Sequence, residues 1–403
     1  MRVAVVGGGL AGLAAAFDLV DAGADVTVHE ARPTLGGAVQ TLPERGDDPK
    51  PPPDNGQHIA LGCFTEYLRF LDRIGEGGSV LRTRLALPVF DEDGERADIA
   101  PSLPALLRYG HISVKERSRL LLTLMRLRAA QSQPRETFGH MLRRLGESDT
   151  SIDRFWDVFI RPALNLRTDE VDALAGLFTV RTALLGPRAS SDLVLPLKPL
   201  GWMHGDAAGR VLGDRVHLDE KVESLDDLDA DADAIVVATP PSESARLLGE
   251  PDPRFESSPI VSVHLLFDRP ILQTPIAALL SSDAHWVFDR GALTGHAAPD
   301  GGQYLTVVSS GVPELMDVRG RGLVDRIAEQ LMQRLGRAEL VWSRVSREPN
   351  ATIALRPGIA RPGVETSRPN VARAGTWTDT GWPATMESAV RSGRAAARYV
   401  LPR

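Results

Sequence analysis

The chain holds one cysteine, Cys63, in 403 residues, so no disulfide can form within it. With neither a Cys-x-x-Cys nor a His-x-x-x-His pair, no structural zinc, redox dithiol or other metal site is expected. Lysine is scarce: among 46 basic residues only Lys50, Lys115, Lys198 and Lys221 are lysines. Positive charge is in deficit, with a formal net charge of −7, which excludes a molecule that binds nucleic acid through an overall basic surface. Aromatic residues reach only 5%. No apolar stretch attains the roughly 20 residues that span a bilayer. Arg2 and the uncharged run 3–17 imitate a signal peptide, but four glycines inside that run argue against one. The expectation is a cytoplasmic protein, with peripheral contact at the inner membrane face left open.

Hydrophobic residues at 43% and charged residues at 25% are ordinary for a folded chain, and the length suggests two or three domains. RVAVV at 2–6 reads as a strand, 7–12 as a glycine turn, 13–22 as a helix and DVTVH at 25–29 as a second strand. The Pro-rich segment 43–53 reads as a surface loop. From about 100 to 190 the pattern is helical, with runs such as LLLTLMRL (120–127) and FWDVFI (155–160). Nine basic residues between 108 and 146 face only Glu116 and Glu136. Such basic helices suit either a solvated face or docking on an anionic membrane. Strand signals at 215–238, 259–267 and 303–309 suggest two sheets, and the last 30 residues run from a short strand through a Gly-rich turn into a helix.

Gly7-x-Gly9-x-x-Gly12 follows a strand and opens a helix, and Glu30 ends the next strand. Glycines let the backbone approach a pyrophosphate, with Leu10 and Ala11 of the same turn as candidate contacts, the helix N-terminus offers free N–H groups, and Glu30 can accept both ribose hydroxyls. Ala31-Arg32 and a second pair, Gly36-Gly37, follow. A nicotinamide dehydrogenase does not need that second pair.

On these residues the chain resembles the FAD-dependent amine oxidase and phytoene desaturase superfamily. The likeness returns at 374–393, AGTWTDTGWPATMESAVRSG, where the superfamily places a helix start, here Ala384, Thr385 and Met386, at the N1/C2 edge of the flavin. Pro383 suits the first turn of that helix. Gly375 and Thr376 belong to the same motif, IVVATPP at 235–241 with Thr239 resembles the strand returning to the nucleotide, and Val222 stands where the adenine is usually met. Two positions depart from the pattern: Ala38 and Thr376 stand for the usual Arg and Asp, and Asp379 is a partial substitute for the latter.

The segments DNGQHI (54–59), FWD (155–157), ALN (163–165) and ASSDL (189–193) further resemble the hydroxysqualene dehydroxylase family. This resemblance implies FAD as cofactor, an external electron donor, and a long apolar terpenoid alcohol, hydroxysqualene, that is reduced to squalene. It also implies an α/β fold: a Rossmann-like FAD-binding domain of amine oxidase type (1–85, 195–250 and 355–403) and a mixed α+β substrate domain (86–194 and 251–354). Because the family brings the 54–58 segment back toward the flavin, Asp54 and His58 are candidate proton donors and Gly56 and Gln57 candidate flavin contacts; turn formation by Asp54 and a structural role for His58 stay open. Trp156, Trp377 and Trp382 are candidate channel walls or core residues. Oxidative polyene desaturation, amine oxidation and flavin binding without catalysis are the alternatives. Amine oxidases keep a flavin-facing lysine in the later sheet, and no lysine follows Lys221 here.

Overall fold

The computed structural model describes residues 1–229 and 232–402. Five parallel strands form the first sheet, in the order β15-β9-β1-β2-β8. They are β1 (Arg2–Val6), β2 (Asp25–His29), β8 (Val216–His217), β9 (Ala234–Val237) and β15 (Val371–Arg373). Val3, Val5, Val26, Val28 and Val236 are buried on one face and Ala4, Val6, Ile235 and Val237 on the other, as expected of strands covered on both faces. One cover is the helix Leu10–Asp21, crossed by the final helix Met386–Val400. The two approach so closely that a Cβ on Gly393 would stand 2.0 Å from the Ala11 carbonyl oxygen.

A small antiparallel sheet joins β3 (Ala60–Leu61), β7 (Leu193–Pro196) and β4 (Val80–Thr83). The largest sheet runs β14-β10-β13-β12-β11-β5-β6. Its strands are β5 (Leu87–Phe90), β6 (Arg96–Ile99), β10 (Ser257–Phe267), β11 (Ile276–Leu279), β12 (Trp286–Asp289), β13 (Gln303–Ser310) and β14 (Leu340–Ile353). Strand alternation splits its side chains. Val261, Val263, Leu265 and Val307 pack under the helix Arg321–Leu335, whereas Val89, Ala278, Trp286 and Phe288 meet the helical segment between 103 and 184.

Several sequence expectations shift. The first helix starts at Leu10 rather than 13, because Gly9 already serves as its cap and Gly12 sits in its first turn. The described residues form three sheets, not two. The run RVHLDEKVESL yields only the two-residue β8, since Asp219 takes a left-handed conformation (φ 55°) and turns the chain away. The Pro-rich segment is a surface loop only in its first half. Asp48 and 51–53 are buried, and Arg344 of β14 reaches in to pair with Asp48 at 2.5 Å. Pro383 lies before the final helix, which Thr385 caps by accepting the Ser388 N–H.

Replacing Gly393 by Ala forces backbone apart from backbone, an overpacking worth about 1–3 kcal/mol of stability. Urea unfolding should show this loss, while Arg398→Ala on the exposed side of the same helix should stay within about 0.5 kcal/mol of the parent.

Candidate functional site

The carboxyl ends of β15, β9, β1 and β2 lie side by side and carry Gly375, Thr239, Gly7 and Glu30. Backbone bonds stitch them together: Ala374 N–H to Val237 O, Ala238 N–H to Val6 O, and Gly7 N–H to His29 O. This is the edge where α/β sheets bind ligands. Gly12 admits no side chain there, since its Cβ would fall 1.9 Å from the Gly7 carbonyl oxygen. Gly9, in contrast, has nothing nearer its Cβ position than Gly37 Cα at 3.6 Å, which leaves the face of the turn open. The first intrahelical bond runs from Leu13 N–H to Gly9 O, so the N–H groups of Leu10, Ala11 and Gly12 are free for an anion.

Glu30 is buried, and its carboxylate accepts from Gly8 N–H at 2.7 Å and Arg32 N–H at 2.9 Å. Ala31 and Arg32 are exposed beside it. Gly36 N–H bonds to Gly8 O at 2.8 Å, bringing the Gly36-Gly37 pair against the first glycine turn. Val222 packs near Val6 and Val237. Thr239 Oγ1 is buried without a hydrogen-bond partner at the end of β9, so this edge holds a donor in want of an acceptor.

In the C-terminal segment, Gly375 N–H donates to Ser392 Oγ, and Trp377 Nε1 donates to Thr239 O. Thr376, Ala384, Thr385 and Met386 are partly buried, and the last begins the final helix. Asp379, expected to stand in for a missing carboxylate, is exposed; it accepts from Gly381 N–H and pairs with Arg361. Its charge is already committed to those groups. Among the tryptophans, Trp156 is fully buried against Phe138 and Phe155 and is core, whereas Trp382 lies between Phe64 and Phe178 with Arg391 over its ring.

Both carboxylate oxygens of Asp54 are taken up by protein partners. It is fully buried: Oδ1 accepts from Thr41 Oγ1 and Leu200 N–H, and Oδ2 takes Arg290 Nη1 at 2.6 Å. Burial lifts its pKa above the ordinary carboxylate value against the opposing pull of Arg290 and these hydrogen bonds. Arg290 also reaches Gln57 Oε1 and Pro52 O, so this one guanidinium holds the 52–57 loop. His58, in contrast, is only partly covered. Its Nε2 lies 3.9 Å from where a Cβ on Gly56 would stand, with Ser262 Oγ of β10 at 3.2 Å from the same point. Surrounding protein lowers His58 to about 4, so at neutral pH its ring is uncharged rather than an imidazolium.

Sequence reasoning overlooked the other wall of this region. Ser262 and His264 alternate along β10, and Tyr304 and Thr306 alternate along β13, the facing strand. Ser262 Oγ, His264 Nε2, Tyr304 OH and Arg290 Nε are all buried without hydrogen-bond partners. The signal was present in PIVSVHLLF: two polar residues at period two within an apolar strand mark a polar stripe on one face.

The family model for flavin containing amine oxidoreductase matches residues 10–401. The chain belongs to that family. It is 29% identical to the hydroxysqualene dehydroxylase of Sinorhizobium fredii, with 99% of this chain and 98% of that protein covered. It is 22% identical to a probable zeta-carotene desaturase of Synechococcus elongatus, covering 100% and 98%. Among solved structures, a putative protoporphyrinogen oxidase from Exiguobacterium sp. superposes with a TM-score of 0.74 at 17% identity, covering 99% and 98% of the two chains. The protein is an FAD-dependent oxidoreductase of the α/β type. The open glycine turn, the free helix N–H groups and the orphan Thr239 hydroxyl fit such a dinucleotide.

Two outcomes follow from this geometry. Glu30→Gln removes the negative charge from the expected ribose acceptor, and protein purified with this change should carry less flavin per chain than the parent, read from the ratio of flavin to protein absorbance. Arg290→Ala strands a buried carboxylate and should cost about 3–5 kcal/mol in denaturant unfolding, whereas the apolar double variant Asp54→Leu with Arg290→Met should recover part of that loss.

Proposed function

We propose that the protein reductively removes the hydroxyl of a long apolar terpenoid alcohol, hydroxysqualene, giving squalene, water and oxidised FAD. The observation that carries this reading is the likeness to hydroxysqualene dehydroxylase along essentially the full length of both chains. Glu30, Gly7, Gly9, Gly12, Gly36, Gly37, Thr239, Gly375 and Met386 are the residues we assign to the dinucleotide. Reduced FAD, when bound, supplies the hydride. The chain's own residues must hold the substrate, exclude water and assist departure of an allylic hydroxyl, whose loss leaves a delocalised cation. Of the two acid candidates only His58 keeps a free ring. Being neutral, it serves as the hydrogen-bond partner that orients the hydroxyl rather than as a charged acid.

Delivery from a membrane fits the helix Val114–Leu127. Val114, Leu122 and Met125 are exposed on the same side as Lys115, Arg119 and Arg126, so an apolar stripe is flanked by a basic edge. Leu103 and Leu107 of the preceding helix are exposed as well. Arg117 and Arg126 also bind backbone carbonyls at Ile112, Leu107 and Leu145, and Arg143 and Arg144 are paired with acids, so among the basic residues of this helix and its C-terminal end the positions to change are Lys115, Arg119 and Arg128. Among the described residues no helix is long and apolar enough to cross a membrane, so the contact we propose is peripheral.

An anaerobic single turnover tests the chemistry: reduced enzyme is mixed with hydroxysqualene, flavin absorbance is followed and the lipid is identified by mass. Flavin reoxidation with stoichiometric squalene is expected. Recovery of intact hydroxysqualene beside flavin that stays reduced would overturn the proposal in favour of oxidative polyene desaturation. For the surface, charge reversal at Lys115, Arg119 and Arg128 should weaken sedimentation with vesicles of anionic lipid and leave turnover of detergent-dispersed substrate unchanged; unaltered vesicle binding would remove the docking face.

A further inference from the structure

We propose that His29, His217 and Glu220 form a binding site for one zinc-class divalent cation on the rim of the parallel sheet. His29 and His217 are the paired last residues of neighbouring parallel strands, so the register places their side chains on the same side of the sheet. The left-handed turn at Asp219 then folds Glu220 back toward them. Its Oε1 lies 2.6 Å from His29 Nδ1 and its Oε2 3.0 Å from His217 Nδ1, with the two rings edge to face at 5.6 Å. One ligand atom from each residue falls within 4.8 Å of the other two.

Two imidazoles and one carboxylate make a nitrogen and oxygen donor set that suits zinc, and also nickel or copper, far better than magnesium or calcium. Bonds of about 2.0–2.2 Å set tetrahedral ligand atoms roughly 3.3–3.6 Å apart, so a small rotation of the exposed His217 and Glu220 side chains away from their present hydrogen bonds brings all three groups round an ion. His29 is buried and fixes the floor, while His217 and Glu220 are 46% and 49% exposed, so an ion enters without any element opening. Three protein ligands leave a fourth position for water. Local spacing could not show this group, because Glu220 is 191 residues from His29.

The site sits directly behind Glu30. Glu30 N–H bonds to His217 O, and Glu220 N–H bonds to Glu30 O, both at 2.9 Å. A bound cation therefore clamps the two backbone partners of Glu30, which on our assignment holds the ribose. The cation site itself does not depend on that assignment.

Equilibrium dialysis of the flavin-loaded enzyme against zinc sulfate should show one equivalent bound at low-micromolar free metal. His217→Ala and Glu220→Gln should each lower the affinity at least about tenfold while keeping flavin content and far-ultraviolet dichroism. Zinc should raise the unfolding temperature of the parent and not of either variant. The proposal fails if the parent binds no stoichiometric zinc, or if both variants bind it as the parent does. Either result is independent of whether the enzyme turns over hydroxysqualene.

Discussion

The ion pair between Asp54 and Arg290 joins three parts of the molecule that the chain itself keeps far apart. Through Thr41, Asp54 grips the segment that follows the second glycine pair; through the Leu200 N–H it holds the start of the helical turn at 202–206; through Arg290 it is bound to the end of β12 in the mixed sheet. Withdrawing two charges from water costs several kcal/mol per ion, and only good geometry with further hydrogen bonds offsets that cost. Such bonds are present: two on the carboxylate, from Thr41 and Leu200, and on the guanidinium further contacts to Gln57 and Pro52. A second buried pair, Arg344 with Asp48, holds the same loop against β14 at the edge of that sheet. The 48–58 loop is thereby a rigid wall between the nucleotide edge and the mixed sheet, although its composition is that of a flexible turn.

Burial around this wall disfavours the charged form of the imidazoles. Burial lowers His58 and His204 to about 4 and His264 to about 3, and it raises the Tyr67 hydroxyl that contacts His204. Such an environment suits hydride delivery to a carbocation, which water would otherwise capture. It also disfavours His58 as a charged acid. A charged imidazolium here would have to overcome that same desolvation.

Much of the nucleotide edge was legible in the chain because its parts are sequential. A β-branched run, three glycines at fixed spacing and an acid closing the next strand can satisfy their backbone bonds in few other ways, and the structure places Gly7, Gly12 and Glu30 together as that pattern requires. The basic helices were legible in composition, but which of their arginines face outward was not. Arg117 and Arg126 look like free charges in the sequence and are in fact tied to carbonyls. The 43–53 segment misled for a related reason: proline excludes it from a sheet interior but does not exclude it from burial, and Arg344 supplies the partner that lets Asp48 go inside.

The sequence by itself determined the βαβ unit, the helical middle and the flavin motifs at both ends, because each rests on interactions between residues a few positions apart. Tertiary structure alone decided the role of Asp54, the polar stripe of Ser262, His264 and Tyr304, and the meeting of His29, His217 and Glu220. In each case a side chain finds its partner across separate strands, and the choice depends on register and burial, which are set only when the sheets assemble. A carboxylate in an Asp-Asn-Gly turn is equally at ease facing water or facing an arginine. Packing the loop under β12 removed the water and left it Arg290.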